Sequence, residues 1–113
     1  MSKRSVLLLL QDIQEAIQNI INYTQNMSFE EFLNDSKTRD AVVRNFEIIG
    51  EAANKLPKDF INQKKQIDWA GVIGFRNVLV HDYFGIDYEI LWKIKSESLP
   101  ELELEIKSLL KPL

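Results

Sequence analysis

The sequence contains no cysteine and a single histidine. Without cysteine there are no disulfides, no thiolate metal sites and no cysteine nucleophile. One histidine argues against a zinc site, which ordinarily needs several His or Cys ligands, so no metal and no cofactor is expected. Glycine and proline are scarce, at four and three residues. No apolar run approaches the roughly 20 residues of a membrane span. The opening Val6 to Leu10 run briefly resembles a signal peptide, but Gln11, Asp12, Gln14 and Glu15 follow at once, which argues against a leader. A cytoplasmic protein without membrane contact is expected.

At 113 residues the chain predicts one domain, residues 1–113, with no room for two cores. The apolar fraction of 45% is that of a globular protein. Net charge is −3, unlike a general nucleic-acid binder. The charge is nevertheless uneven. Residues 36–65 hold Lys37, Arg39, Arg44, Lys55, Lys58, Lys64 and Lys65 against Asp40, Glu47, Glu51 and Asp59. Such a stretch is ordinarily a set of solvated helix faces; the sharper alternative is a local basic track for phosphates.

Helical periodicity dominates. Val6, Leu10, Ile13, Ile17, Ile20 and Thr24 line one stripe of a helix over 5–24, widened by Leu9, Ala16 and Ile21. Ser28-Phe29-Glu30-Glu31 is a capping box opening a short helix over 28–34. Ser36 is expected to cap the next helix, which runs to about Leu56 with Val42, Phe46, Ile49, Ala53 and Leu56 inside. Arg44, Glu47, Glu51 and Lys55 form its charged face, and Pro57 ends it. Residues 58–67 read as a connection with room for a helical turn. Asp68 caps an apolar helix beginning Trp69, Val72, Ile73 and Phe75, with Gly85 as its C′ residue. Asp87 caps the last helix, with Tyr88, Leu91, Trp92 and Ile94 as its core face. Pro100 should kink or restart it, with Ser98 as cap. The only alternating run, Glu101 to Ile106, is too glutamate-rich for a strand. The fold class is therefore all-α, an antiparallel bundle of four to five helices.

The site candidate is Gly74 to Gly85. It holds the lone His81, with Arg76 five residues before it and Tyr83 two after. In a purely structural role His81 complements a helix C-terminus, Tyr83 is a core aromatic, and Arg76 pairs with a carboxylate such as Glu51. In a chemical role, His81 exchanges a proton near neutral pH and Arg76 presents a fork of donors that fits phosphate. Together they can cleave RNA without metal. Five residues are about 140° of helix, so Arg76 and His81 share no face of a regular helix. Either the helix ends by about Val80, or the site is shared between two chains of a symmetric dimer.

Arg76-Asn77-Val78-Leu79-Val80-His81-Asp82-Tyr83 resembles the Arg-polar-x-x-x-His-x-Tyr signature of the HEPN superfamily, most closely its HepT-like toxins. Arg44 to Ala52 resembles that branch's second long helix, Trp69 to Gly74 its lead-in, and Asp87 to Leu99 its closing helix. The resemblance implies a HEPN-like homodimer about the motif helix, and RNA cleavage by Arg76 and His81 with Asn77 in support. It implies a toxin of a type VII-like toxin–antitoxin pair. Its partner would be a small nucleotidyltransferase that attaches adenylate to Tyr83. Arg44 and Glu51 are candidate supporting residues. The alternative is a non-enzymatic helical dimer that binds a nucleotide or a partner protein.

Overall fold

The computed structural model describes residues 4–80 and 85–111, with 76–80 as helix backbone only. Among these residues there is no strand, and the all-α expectation holds.

The first helix, α1 (Val6–Tyr23), is capped by Ser5, whose Oγ accepts the Leu8 N–H at 3.2 Å. It buries Leu9, Leu10, Ile13, Ala16, Ile17 and Ile20. That is a wide stripe, as expected for a helix covered on two sides. Each fully buried aliphatic side chain stabilises the fold by about 1.5–3 kcal/mol. Thr24 closes α1: its buried hydroxyl donates to the Ile20 carbonyl at 2.8 Å.

Next comes α2 (Phe29–Leu33), held by the expected capping box. The Glu31 N–H donates to Ser28 Oγ at 3.1 Å, and the Ser28 N–H donates to Glu31 Oε1 at 2.9 Å. The following helix, α3 (Ser36–Asn54), is capped by Asp35 and not by Ser36. Asp35 accepts from the Thr38 N–H at 3.1 Å and from the Thr38 hydroxyl at 2.7 Å. Two carboxylate oxygens bind two donors there, and a negative charge also suits a helix N-terminus.

Pro57 stands at the N-cap of α4 (Lys58–Gln63), a position that requires no N–H. The helix α5 (Trp69–Val80) follows, with the Asp68 carboxylate accepting the Gly71 N–H at 3.1 Å. Trp69 is buried, and its indole N–H donates to the Lys64 carbonyl at 2.9 Å. This bond folds the start of α5 back onto the α4 connection.

Asp87 caps α6 (Tyr88–Lys93), accepting the Glu89 and Ile90 N–H groups. A π-helical segment, Ile94–Ser98, joins α6 to α7 (Leu99–Leu110). Here the structure departs from one expectation: Ser98 makes no side-chain cap and keeps helical angles, so the helix does not restart there. The widened turn explains it. An α-helix would drive the Pro100 ring against the carbonyl four residues back and lose a hydrogen bond. The wider i→i+5 spacing, with the Leu99 N–H donating to the Ile94 carbonyl, accommodates the proline in a continuous rod.

In tertiary packing α1 lies between α3 and α7, while α3 lies between α1 and α5. Phe46 of α3 meets Phe75 of α5 edge-on, with ring centroids 5.5 Å apart. Asn45, buried at the α1–α3 contact, accepts a hydrogen bond from Asn19 at 3.1 Å and donates to the Ala41 carbonyl at 2.8 Å. Apart from Asn45 and Thr24, the buried residues among those described are apolar or glycine.

Candidate functional site

The two long helices α3 and α5 set the position of the Arg–His stretch. After α4, α5 packs along α3. The Phe46–Phe75 contact then fixes their relative height. Arg76 directly follows Phe75, so its Cα is anchored by a half-buried aromatic packed against the core. Arg76 and Asn77 both lie on α5, which runs to Val80. His81 and Tyr83 lie outside the described residues. α5 is described as far as Val80, and the expectation that it ends near there concerns residues that lie outside the described ones. Gly85 has φ of +115°, a value open to glycine and strained for other residues. The chain thus turns there before Asp87 starts α6.

Arg44 is exposed on α3 and pairs with Glu47 at 3.7 Å, an exposed i,i+3 contact of small energetic weight. Glu51 is half-buried on the same helix. The two stand seven residues apart, within about 20° of one another around the helix axis. Their relation to His81 and Tyr83 lies outside the described residues.

At this end of the bundle the sequence pattern marks Tyr88 and Trp92 only as part of a core face. Both are half-buried, not buried, and each carries a cation. The Arg39 guanidinium lies 5.3 Å from the Tyr88 ring centroid, and Lys95 Nζ lies 4.1 Å from that of Trp92. A sequence signal for this exists: Tyr88, Trp92 and Lys95 are spaced four and three apart, on one helix face. The contact from α3 that brings Arg39 to it has no such signal. Among the described residues no group of three or more His, Cys, Asp or Glu side chains is arranged to hold a metal ion. No described helix is long and apolar enough to cross a membrane.

Comparison with known proteins bears on the same stretch. A model of a family described as ribonuclease HepT-like matches residues 13–109, which include α5 and the Arg76 to Tyr83 segment. The chain belongs to the ribonuclease HepT-like family. Among curated relatives, a Methanocaldococcus jannaschii protein provisionally named an RNase is 46% identical over 111 residues, covering 98% of this chain and 92% of that one. A Thermococcus cleftensis protein named a probable ribonuclease HepT is 43% identical over 109 residues, covering 96% and 99%. A third, from Caldanaerobacter subterraneus and provisionally named an RNase, is 38% identical over 101 residues, covering 89% and 90%. No solved structure matches the chain. The HEPN resemblance read from Arg76, Asn77, His81 and Tyr83 therefore agrees with the family membership.

Proposed function

We propose that this HepT-like protein is a metal-independent endoribonuclease, the toxin of a toxin–antitoxin pair. The observation that carries the reading is the coincidence of family membership over residues 13–109 with Arg76 and His81 at the signature spacing. In the proposed reaction an imidazole nitrogen of His81 takes the 2′-OH proton of the RNA. The 2′-oxygen attacks the adjacent phosphorus, the bond from phosphorus to the 5′-oxygen breaks, and that oxygen leaves with a proton. The products are a 2′,3′-cyclic phosphate and a free 5′-OH. Arg76 donates to the non-bridging oxygens, where charge grows in the transition state. Asn77 supports the phosphate as a neutral donor.

A homodimer about α5 belongs to the same proposal. Val72, Ile73, Phe75, Val78, Leu79 and Val80 leave that helix without a continuous polar face. A helix apolar on all sides needs cover on all sides. A two-fold axis beside α5 would supply it and would let Arg76 of one protomer work with His81 of the other.

Tyr83 is the proposed switch. Its phenolic oxygen attacks the α-phosphorus of ATP on a partner nucleotidyltransferase, and pyrophosphate leaves. The attached adenylate places a phosphate charge near Arg76 and repels the RNA backbone.

The decisive experiment is RNA cleavage by purified protein in EDTA. Wild type should cleave. Arg76→Ala and His81→Ala should each lose about 10²–10⁴-fold in rate with unchanged far-UV circular dichroism. Undiminished cleavage by folded His81→Ala refutes the mechanism, and activity that needs added magnesium refutes metal independence.

A further inference from the structure

Arg39 and Lys95 are two cations without an ion-pair partner among the described residues. Among the described residues neither forms an ion pair or donates a side-chain hydrogen bond, and the Arg39 Nε–H is buried without a partner. Three carboxylates of the neighbouring segments are engaged elsewhere. Asp35 holds the Thr38 donors, Glu31 holds the Ser28 N–H, and Glu103 pairs with Lys107 at 3.8 Å.

The two cations are joined by aromatic rings. The Tyr88 ring centroid is 6.0 Å from that of Phe32, which is 4.9 Å from that of Trp92. Phe32 is fully buried, so it fastens the seam to the core. Tyr88, Trp92, Arg39 and Lys95 are each only partly covered. Beyond Lys95 opens a groove of about 750 Å³, walled also by Met27, Ser28 and Pro100. That volume lies within the range of small-ligand sites.

The seam's first cation, Arg39, lies on α3, the helix that packs against α5. Arg39 lies seven residues before Phe46 on α3, about 10 Å along the axis, and Val80 lies five after Phe75 on α5, about 7.5 Å. Phe46 meets Phe75, so Arg39 and Val80 each lie within about 10 Å of that contact along their own helices. Tyr88 follows eight residues after Val80 in the chain.

We infer that the strip Arg39–Tyr88–Trp92–Lys95 is a binding track for single-stranded RNA, running from Arg39 to the groove beyond Lys95. This rests on the ribonuclease reading above. Aromatic surface flanked by cations is what sequence-tolerant single-strand binding uses: rings for bases, cations for phosphates. Burial lowers the proton affinity of Lys95, in keeping with an ammonium that lacks a carboxylate partner. Cations that merely shield aromatic carbon would also fit this geometry, and salt dependence separates the two roles.

The test is fluorescence anisotropy of a labelled 2′-O-methyl oligouridylate, which binds but offers no 2′-OH to attack, across a salt series. Removing one cation that meets a phosphate should flatten the slope of log Kd against log salt by about 0.7. Arg39→Gln and Lys95→Gln are each expected to show that flattening, the double variant twice as much, and Arg39→Lys to retain the wild-type slope. Cleavage of the unmodified oligouridylate by wild type is followed in parallel. Wild-type cleavage with unchanged slopes in both Gln variants, even with lowered thermal stability, overturns the track and leaves the ribonuclease reading intact. Absence of both cleavage and binding in wild type removes both. If Arg39→Gln keeps the RNA slope but blocks modification by the partner nucleotidyltransferase, the strip is a protein-docking surface and the RNA track is refuted.

Discussion

The contact between Phe46 and Phe75 links stability to the position of Arg76, and its size can be measured. The rings meet at 5.5 Å with an interplanar angle of 90°, an edge-to-face pair. Such pairs are worth about 0.5–1.5 kcal/mol beyond the area they bury. Phe46 is 2% exposed, so Phe46→Leu should also leave a small void and cost about 1–2 kcal/mol in all. Phe75 is half-buried, and Phe75→Leu should cost less. The double variant should be more stable than additivity predicts by about 0.5–1.5 kcal/mol, because the pair can be lost only once. Urea denaturation of all four proteins at one fixed concentration gives the coupling; concentration must be fixed because self-association would shift apparent stability. Cleavage should fall in both single variants under conditions where each remains folded, since a displacement of about 1 Å in a positioned group can cost about 100-fold. A coupling near zero, or full activity in a folded Phe75→Leu protein, would refute the claim that this contact sets the register of the motif helix.

Tyr83→Phe should stay folded and escape silencing; intact-protein mass spectrometry after incubation with partner and ATP should show an adenylate gain in wild type and none in the variant. Light scattering over a dilution series should report a dimer, and a monomer at all micromolar concentrations would rule out a site shared between chains. Asn45→Ala should destabilise by about 1–2 kcal/mol by stranding the Asn19 amide, and the same change in an Asn19→Ala background should cost less in urea melts. The Glu31 carboxyl titrates below the ordinary glutamate range because the Ser28 N–H donates to it, with the Ser28 hydroxyl adding to the effect. Its contribution is present above the unfolded-state pKa and is lost as pH falls through the lower folded value. Glu31→Gln should therefore lower stability at neutral pH, change little in acid below the folded-state pKa, and so flatten the acid limb of a stability–pH profile.

Much of this protein is fixed by local pattern. The stripe from Leu9 to Thr24, the Ser28–Glu31 box, and the Asp68 and Asp87 caps follow from periodicities and side-chain acceptors within a few residues. They are legible because the physics that decides them is equally short in range. The same holds for the Arg76, Asn77, His81 and Tyr83 signature, which is a matter of spacing. Where two adjacent residues could serve, local pattern does not choose: Asp35 takes the cap expected of Ser36 because it satisfies two Thr38 donors. At Pro100 the expected break is instead a π turn. Leu99 at 0% exposure and Leu102 at 6% must both reach the core from one continuous rod. The remaining decisions belong to tertiary structure alone. Nothing in the chain near Arg39 names Tyr88, and nothing near Asn19 names Asn45. Those partners meet because α3 packs between α1 and α5 and the closing helix lies across the same end. The sequence determines which helices form and where the signature residues stand along the chain. Their packing determines that Arg39 and Lys95, without ion pairs among the described residues, lie along one aromatic seam, because only long-range burial brings residues far apart in sequence into contact.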